Sequence, residues 1–361
     1  MSGARPVLIM AGGTGGHVFP ALAVAERLRE RGTPVAWMGT RRGLEAALVP
    51  KAGIPMEWIG VAGLRGKGAR RLLEMPLMLG RAIWQAGTIL RRLRPRVVLG
   101  MGGFVSGPGG LAARSLGIPL VVHEQNAIAG LTNRWLARIA DRVLEAFPAT
   151  FPAARRALTV GNPVRAPIAA LPPPAERFAG RAGPPRLLVV GGSQGALALN
   201  RLVPRALALL DESERPEVWH QAGGRLHETA LTAYRDAGVT ARLMPFIEDM
   251  AAAYGWADLV LCRAGALTVA ELAAAGIGSI LVPFPFAVDD HQTANARFLE
   301  QGGAALVRQQ TELTAERLAG SLRELCGDRP RLLEMAEAAR RLAKIEAAEQ
   351  VAAACLEQVR S

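Results

Sequence analysis

Two glycine-rich runs stand between short apolar stretches and helical segments, and both have the composition of an anion cradle. The first, Met10-Ala11-Gly12-Gly13-Thr14-Gly15-Gly16-His17, follows Val7-Leu8-Ile9. The second, Gly191-Gly192-Ser193-Gln194-Gly195, follows Leu187-Leu188-Val189-Val190. Glycines at a strand-to-helix turn let backbone approach a ligand closely and aim free N–H groups at an anion. His17 ends the first run and opens a helix. An imidazole with an ordinary pKa of about 6.5 can take a proton from a hydroxyl at neutral pH. Ser193 and Gln194 sit at the start of the second helix, where a serine can cap the helix, touch a phosphate, or do both. Arg165 follows a proline-fixed turn in Gly161-Asn162-Pro163-Val164-Arg165. Farther on, Asp258–Cys262 leads through Arg263-Ala264-Gly265-Ala266-Leu267-Thr268 to Glu271, about one turn into a helix. A carboxylate there can accept both hydroxyls of a ribose while first-turn N–H groups take a diphosphate.

These residues need a frame, and the first half supplies one by alternating strand and helix. Strands are predicted at Val7–Met10, Val35–Met38, Val97–Leu99, Leu120–His123 and Val143–Leu144. Continuous apolar strands of this kind belong to a parallel sheet covered on both faces. Ligands bind beyond the carboxyl ends of such strands. Gly12–His17, the Gly102 loop in Gly100–Gly110 and Glu124-Gln125-Asn126 are therefore expected on one rim. Gly161–Arg165 and Pro172–Pro174 read as a linker. The grammar repeats from Leu187 to about Leu306, and Arg331–Arg360 reads as one long helix packing back on the other domain. The expected division is 1–161, with the C-terminal helix of about 343–361, and 162–342: two doubly wound α/β domains facing a cleft.

A length of 361 residues fits two such domains, and 50% hydrophobic with 20% charged residues excludes a disordered chain. Cys262, Cys326 and Cys355 are odd in number and widely spaced, which argues against a disulfide framework or a zinc site and for a reducing compartment. A strand follows almost directly on Met1-Ser2-Gly3, so no signal peptide is expected. The uncharged stretch Leu272–Val288 is broken by Gly276, Gly278, Pro283 and Pro285 and cannot span a membrane as a helix. The net charge of +12 asks for an anionic partner. Arg65, Lys67, Arg70, Arg71, Arg81, Arg91, Arg92, Arg94 and Arg96 interleave with Leu72, Leu73, Met75, Leu77, Met78, Leu79, Ile83 and Trp84, with Glu74 the only acid among them. Aliphatics and a tryptophan ringed by arginine suit an anionic lipid surface. RNA binders place Phe or Tyr on strands for stacking, and this chain has two tyrosines, so no nucleic-acid partner is expected. The plain alternative is an ordinary helix with these apolar residues on its core face.

Other loop chemistries fail. Val18 stands where GxGxxG needs its third glycine, and no acid closes the second strand at Gly39-Thr40 to hold a ribose. No Gly-Lys-Ser/Thr follows, so the run is not a Walker A loop. Asp289 and Asp290 are adjacent and point apart, with no third carboxylate near, so neither a metal site nor a cofactor is expected.

The motifs Ala11–His17, Gly100-Met101-Gly102-Gly103, His123–Asn126, Gly161–Arg165, Gly191–Gly195 and Asp290-His291-Gln292-Thr293-Ala294-Asn295-Ala296, in this order and spacing, resemble those of the MurG family of peptidoglycan glycosyltransferases. The resemblance runs along almost the whole chain and implies a two-domain GT-B fold. It implies inverting transfer of N-acetylglucosamine from UDP-GlcNAc to undecaprenyl-diphosphoryl-N-acetylmuramyl-pentapeptide (lipid I), giving lipid II at the cytoplasmic face of the membrane. Other cell-wall synthesis proteins are possible partners of such an enzyme. By this likeness Arg165 and Ser193 hold the diphosphate, Glu271 the ribose, Ile247 the uracil through backbone, and Gln292 the sugar hydroxyls. Thr14, Gly15, Gly16, Asn126, Gln194, Ala266, Leu267 and Thr268 are further implied UDP-GlcNAc contacts, with His17, Glu124 and Asn126 toward the acceptor. The Arg65, Lys67, Arg70, Arg71, Leu77, Leu79, Arg81 and Trp84 cluster would meet the leaflet. The acceptor hydroxyl needs a base, for which His17 and Glu124 both stand as candidates. A glycosyltransferase acting on diacylglycerol, a UDP-sugar epimerase of the same architecture, and a non-catalytic binder remain the alternatives.

Overall fold

The computed structural model describes residues 5–60, 69–192 and 195–359, without the side chains of 69–75 and of Val288. The chain divides into two units, Met1–Arg165 with Ile345–Ser361, and Ala166–Lys344.

In the first unit Val7–Met10 (β1), Gly15–Glu30 (α1), Val35–Gly39 (β2), Glu45–Lys51 (α2), Met56–Trp58 (β3), Ala69–Leu93 (α3), Val97–Gly100 (β4), Ser106–Ser115 (α4), Leu120–Glu124 (β5), Leu131–Leu136 (α5), Arg142–Glu145 (β6) and Leu158–Thr159 (β7) follow one another. The strands form one parallel sheet in the order β3-β2-β1-β4-β5-β6-β7. Residues of β1 alternate between the two faces. Val7 and Ile9 pack with Val24 and Leu28 of α1, while Leu8 and Met10 pack with Ala86 and Leu90 of α3 and Leu136 of α5. Chain order reverses between β1 and β4, so the loops leaving these neighbours emerge side by side. There they touch: Gly103, at φ +81°, lies so close on the Gly12 carbonyl that any Cβ would collide with it.

The second unit comprises Ala166–Ala169 (α6), Pro174–Phe178 (α7), Arg186–Val190 (β8), Leu197–Ala208 (α8), Glu217–Gln221 (β9), His227–Asp236 (α9), Arg242–Met244 (β10), Met250–Trp256 (α10), Leu259–Cys262 (β11), Ala266–Ala275 (α11), Gly278–Leu281 (β12), His291–Gln301 (α12), Ala305–Val307 (β13), Ala315–Cys326 (α13) and Arg329–Leu342 (α14). Its parallel sheet runs β10-β9-β8-β11-β12-β13, with the reversal between β8 and β11. Leu187, Leu259 and Ile280 form its core with Leu199 and Val203 of α8 and Leu318 and Leu322 of α13.

The structure corrects the sequence reading in three places. The short edge strands β3 and β7 were not expected; three residues that are half-buried, and two, carry no period-2 pattern to detect. The long C-terminal helix is two: α14 stops at Ala343, which is extended (φ −65°, ψ 137°), and Ala347–Glu357 (α15) starts after it. A segment serving two separate cores must break between them, and α15 returns Val351, Ala352 and Cys355 to the core of the first unit beside α1. Thirdly, β6 spans Arg142–Glu145 rather than Val143–Leu144 alone. Among the described residues no helix is long and apolar enough to cross a membrane.

Candidate functional site

Each sheet carries its candidate site residues at the carboxyl edge, beside a glycine loop in both units. In the first unit Thr14 is the N-cap of α1, in extended conformation, so Gly15, Gly16 and His17 form the first turn. The N–H groups of Gly15 and Gly16 precede the first bond of the helix, which His17 makes to the Thr14 carbonyl at 3.1 Å. Glu45, fully buried at the start of α2, braces the loop from below: Oε2 accepts the Gly13 amide at 2.9 Å. Ser106 holds the neighbouring loop, donating to the Gly102 carbonyl at 2.8 Å and accepting the Gly102 amide at 3.1 Å. His17 is half-buried and packs on Gly102, where a Cβ would lie 2.8 Å from the ring. Its Nδ1 lies 3.0 Å from Oε1 of Gln125.

Glu124 is buried at 2% exposure and both its oxygens are engaged. Oε1 accepts the amide N–H of Asn126 at 2.9 Å and its side-chain Nδ2 at 3.1 Å. Oε2 accepts the Gly130 amide at 3.1 Å and Asn133 Nδ2 at 2.9 Å. That arrangement fits a carboxylate holding the β5–α5 loop and aiming Asn126. His123 is fully buried and its Nε2 meets the Gly161 carbonyl at 2.9 Å. Burial pulls its pKa down to about 4, so the ring is neutral at pH 7. Arg165, half-buried, lays its guanidinium over Phe19 of α1 at 5.3 Å from the ring centroid.

In the second unit Gln221 takes the part Glu45 has in the first. Its Oε1 accepts the Gly192 amide at 3.1 Å, and its Nε2 donates to the carbonyls of Gly192 and Pro245, each at 3.1 Å. It thereby ties the second glycine loop to the Pro245-Phe246-Ile247 segment, in which Ile247 is buried. Ser193 and Gln194 lie outside the described residues. Ala266, Leu267 and Thr268 form the first turn of α11 after the N-cap Gly265, and Asn295 Nδ2 holds this entry by donating to Ala264 O at 3.2 Å. Glu271 sits in the second turn, 4% exposed, accepting the Tyr254 hydroxyl at 3.2 Å. Gln292 Oε1 accepts the Phe284 amide at 2.9 Å. Gln292 lines a cavity of about 590 Å³ with Ala196, Leu197, Arg263, Phe284 and Gln310. Arg263 crosses that cavity wall, donating to Val282 O at 3.1 Å and Gln310 Oε1 at 2.5 Å.

On α3, Leu77, Leu79 and Trp84 are exposed at 80%, 43% and 67%, beside the exposed Arg81, while Ala82, Ala86, Ile89 and Leu90 face the core. The helix therefore has a buried apolar face and a second apolar group in solvent. Arg65 and Lys67 lie outside the described residues, and so do the side chains of Arg70 and Arg71. Leu131 and Trp135 of α5 are exposed on helices covering the same sheet face, and Arg138 stacks on Trp135 at 4.3 Å.

Glu45, Gln125 and Gln221 were not anticipated as site residues. Only Gln125 carried a sequence signal, its place in His123–Asn126; the two braces reach their loops from elements distant in sequence.

The glycosyltransferase family 28 N-terminal domain matches residues 7–145 and the glycosyltransferase family 28 C-terminal domain matches 186–351. The chain is 61% identical, over 97% of its length and 98% of the relative's, to the UDP-N-acetylglucosamine--N-acetylmuramyl-(pentapeptide) pyrophosphoryl-undecaprenol N-acetylglucosamine transferase of Nitrosococcus oceani. It is 61% identical to the enzyme of the same name from Alkalilimnicola ehrlichii, over 98% of this chain and 99% of that one. The crystal structure of Acinetobacter baumannii MurG superposes with a TM-score of 0.85 at 44% identity, covering 98% of this chain and 99% of that one. With two parallel Rossmann-like sheets, matches to both family domains and full-length relatives at this identity, the chain belongs to glycosyltransferase family 28, of GT-B architecture, and within it to the MurG N-acetylglucosaminyltransferases.

Proposed function

We propose that the chain transfers N-acetylglucosamine from UDP-GlcNAc to undecaprenyl-diphosphoryl-N-acetylmuramyl-pentapeptide, with inversion, giving lipid II. The observation that carries this reading is the full-length 61% identity to relatives named for that transfer. The acceptor hydroxyl oxygen attacks the anomeric carbon, the bond from that carbon to the diphosphate oxygen breaks, and UDP leaves with the electron pair. The hydroxyl proton goes to Nε2 of His17. Between the two candidate bases the hydrogen bonds favour His17, because the Glu124 carboxylate already accepts four donors. Glu124 is a positioning residue for Asn126.

The leaving UDP carries negative charge that preorganised donors must meet. Arg165 and Ser193 serve the diphosphate, with the α1 N-cap Thr14, Gly15, Gly16 and Gln194 as further UDP-GlcNAc contacts. The first turn of α11 (Ala266, Leu267, Thr268) assists them. Glu271 takes the ribose hydroxyls, with Tyr254 fixing its orientation, and the backbone of Ile247 takes the uracil. The NH2 end of Gln292 reads a sugar hydroxyl.

Leu77, Leu79 and Trp84 beside Arg81, with Arg65, Lys67, Arg70 and Arg71 nearby in sequence, dock the first unit on the anionic cytoplasmic leaflet as a peripheral protein. The division of labour follows: 1–161 with the C-terminal helix takes acceptor and membrane, 162–342 takes UDP-GlcNAc. The test is transfer of labelled GlcNAc from UDP-GlcNAc to a lipid I analogue with UDP release followed in parallel. Transfer dependent on the muramyl-pentapeptide is the expected result. UDP binding without transfer to that acceptor would overturn the acceptor assignment.

A further inference from the structure

The unassigned side chain with the most constrained surroundings is Gln125, 1% exposed, between two histidines. An amide has one end that only donates and one that only accepts, so its orientation transmits information about where protons sit.

The hydrogens in this row are set from Gly161. Its carbonyl can only accept, so His123 Nε2, 2.9 Å away, carries a hydrogen. In a neutral ring Nδ1 is then bare. Gln125 Nε2 lies 3.2 Å from that Nδ1 and 3.4 Å from the His123 carbonyl oxygen. Both are acceptors, so the NH2 end of the amide must face them. Oε1 is thereby turned the other way, to His17 Nδ1 at 3.0 Å. An amide oxygen accepts, so His17 Nδ1 carries the hydrogen and its Nε2 has the free lone pair.

We infer that Gln125 is a positioning residue that fixes His17 as the Nδ1–H tautomer, leaving Nε2 bare to receive the acceptor's proton. Which ring nitrogen is protonated follows from the hydrogen bond the other makes. The supporting fact that His123 stays neutral comes from its burial. When Nε2 takes the proton, the Nδ1–H bond to Gln125 becomes charge-assisted and strengthens. The protein thus holds the imidazolium with a neutral amide rather than a carboxylate. Loss of Gln125 would free His17 to place its one hydrogen on Nε2, where it blocks the base.

This rests on His17 being the base, and two readouts separate the inferences. The tautomer is read by nitrogen NMR of protein labelled with 15N-histidine, the His17 signals being those absent from His17→Gln. Wild type is expected to show hydrogen on Nδ1 and a bare Nε2. In Gln125→Ala the hydrogen is expected on Nε2, with kcat down about 10²-fold and the KM for UDP-GlcNAc within about twofold. Gln125→Glu still accepts from Nδ1–H, so it should keep the wild-type tautomer and stay within about tenfold of its kcat. A urea unfolding midpoint close to that of wild type reports that each variant is folded. Hydrogen on Nε2 of His17 in wild type overturns the inference, as does a Gln125→Ala variant with unaltered tautomer or kcat. If instead His17→Ala keeps its kcat, the base assignment fails while the NMR result still decides the tautomer.

Discussion

Glu45 Oε2 accepts the amide of Gly13 at 2.9 Å, although helix α1 and strand β2 lie between the two residues. Oε1 accepts from both the amide and the hydroxyl of Thr40, at 2.9 and 2.8 Å. Its pocket is walled by Gly12, Gly39 and Gly43, at each of which a Cβ would crowd the Glu45 side chain. Glu45→Ala leaves these half-buried donors without their acceptor. It is expected to cost about 3 kcal/mol of stability in urea unfolding. Turnover should fall, and UDP affinity, measured by calorimetry, should fall with it, since Glu45 braces the loop that leads into Thr14, Gly15 and Gly16.

His17→Ala is expected to lower kcat by about 10²- to 10⁴-fold, the range for loss of a general base. The KM for UDP-GlcNAc should move less than about threefold. Steady-state kinetics with a soluble acceptor decides it; parallel losses in both constants would show that His17 is not the base.

Gln292 is anchored through its oxygen. Gln292→Ala is expected to weaken UDP-GlcNAc about tenfold, the worth of one good hydrogen bond, and to leave UDP itself within about twofold. Competitive binding of the two nucleotides reads the difference. Equal losses for both would remove Gln292 from sugar recognition.

The α3 surface makes a claim about lipid. Replacing Leu77, Arg81 and Trp84 together with serine should weaken binding to vesicles containing anionic lipid by about 10²-fold, summing about 1 kcal/mol per arginine and more for the tryptophan. Soluble-acceptor turnover should be spared. Vesicle binding indifferent to these changes and to salt would place the docking surface elsewhere.

Stability should depend on pH through two buried histidines. His123 is pulled down to about 4 and His220 to about 3, both chiefly by burial, against an unfolded value of about 6.5. Between those values the unfolded chain binds protons that the folded chain refuses. Unfolding free energy therefore falls as pH drops below about 6.5, by about 1.4 kcal/mol per unit for each ring, and these two rings add no slope well above neutrality. Urea unfolding at pH 7, 6 and 5 should give a shallower slope for His220→Gln than for wild type. An unchanged slope would mean that His220 is not held neutral by the fold.

Much of this architecture is legible in the residues. β1, β2, β4 and β5 are apolar runs followed by glycine, or by polar residues that cannot continue a strand, so both their place and the rim they build can be read directly. The braces are another matter. The absence of an acid at the end of β2 counts against a dinucleotide loop, yet Glu45 arrives from α2 to fill the space under that same loop. Its role depends on three glycines converging from separate segments, which no spacing rule encodes. Gln125 could be placed on the rim, but its meaning lies in amide orientation, set by Gly161 and His123. The break at Ala343 has neither glycine nor proline to announce it; it follows from which core each helix completes.

Val351, Ala352 and Cys355 of α15 are fully buried against the same core as Val7 and Leu28. A ribosome making this chain therefore releases the whole second unit before it delivers the segment that seals the first. During synthesis the first sheet must wait with one flank of α1 uncovered, open to chaperones and to misassembly with other nascent chains. The arrival of α15 is what ends that exposure.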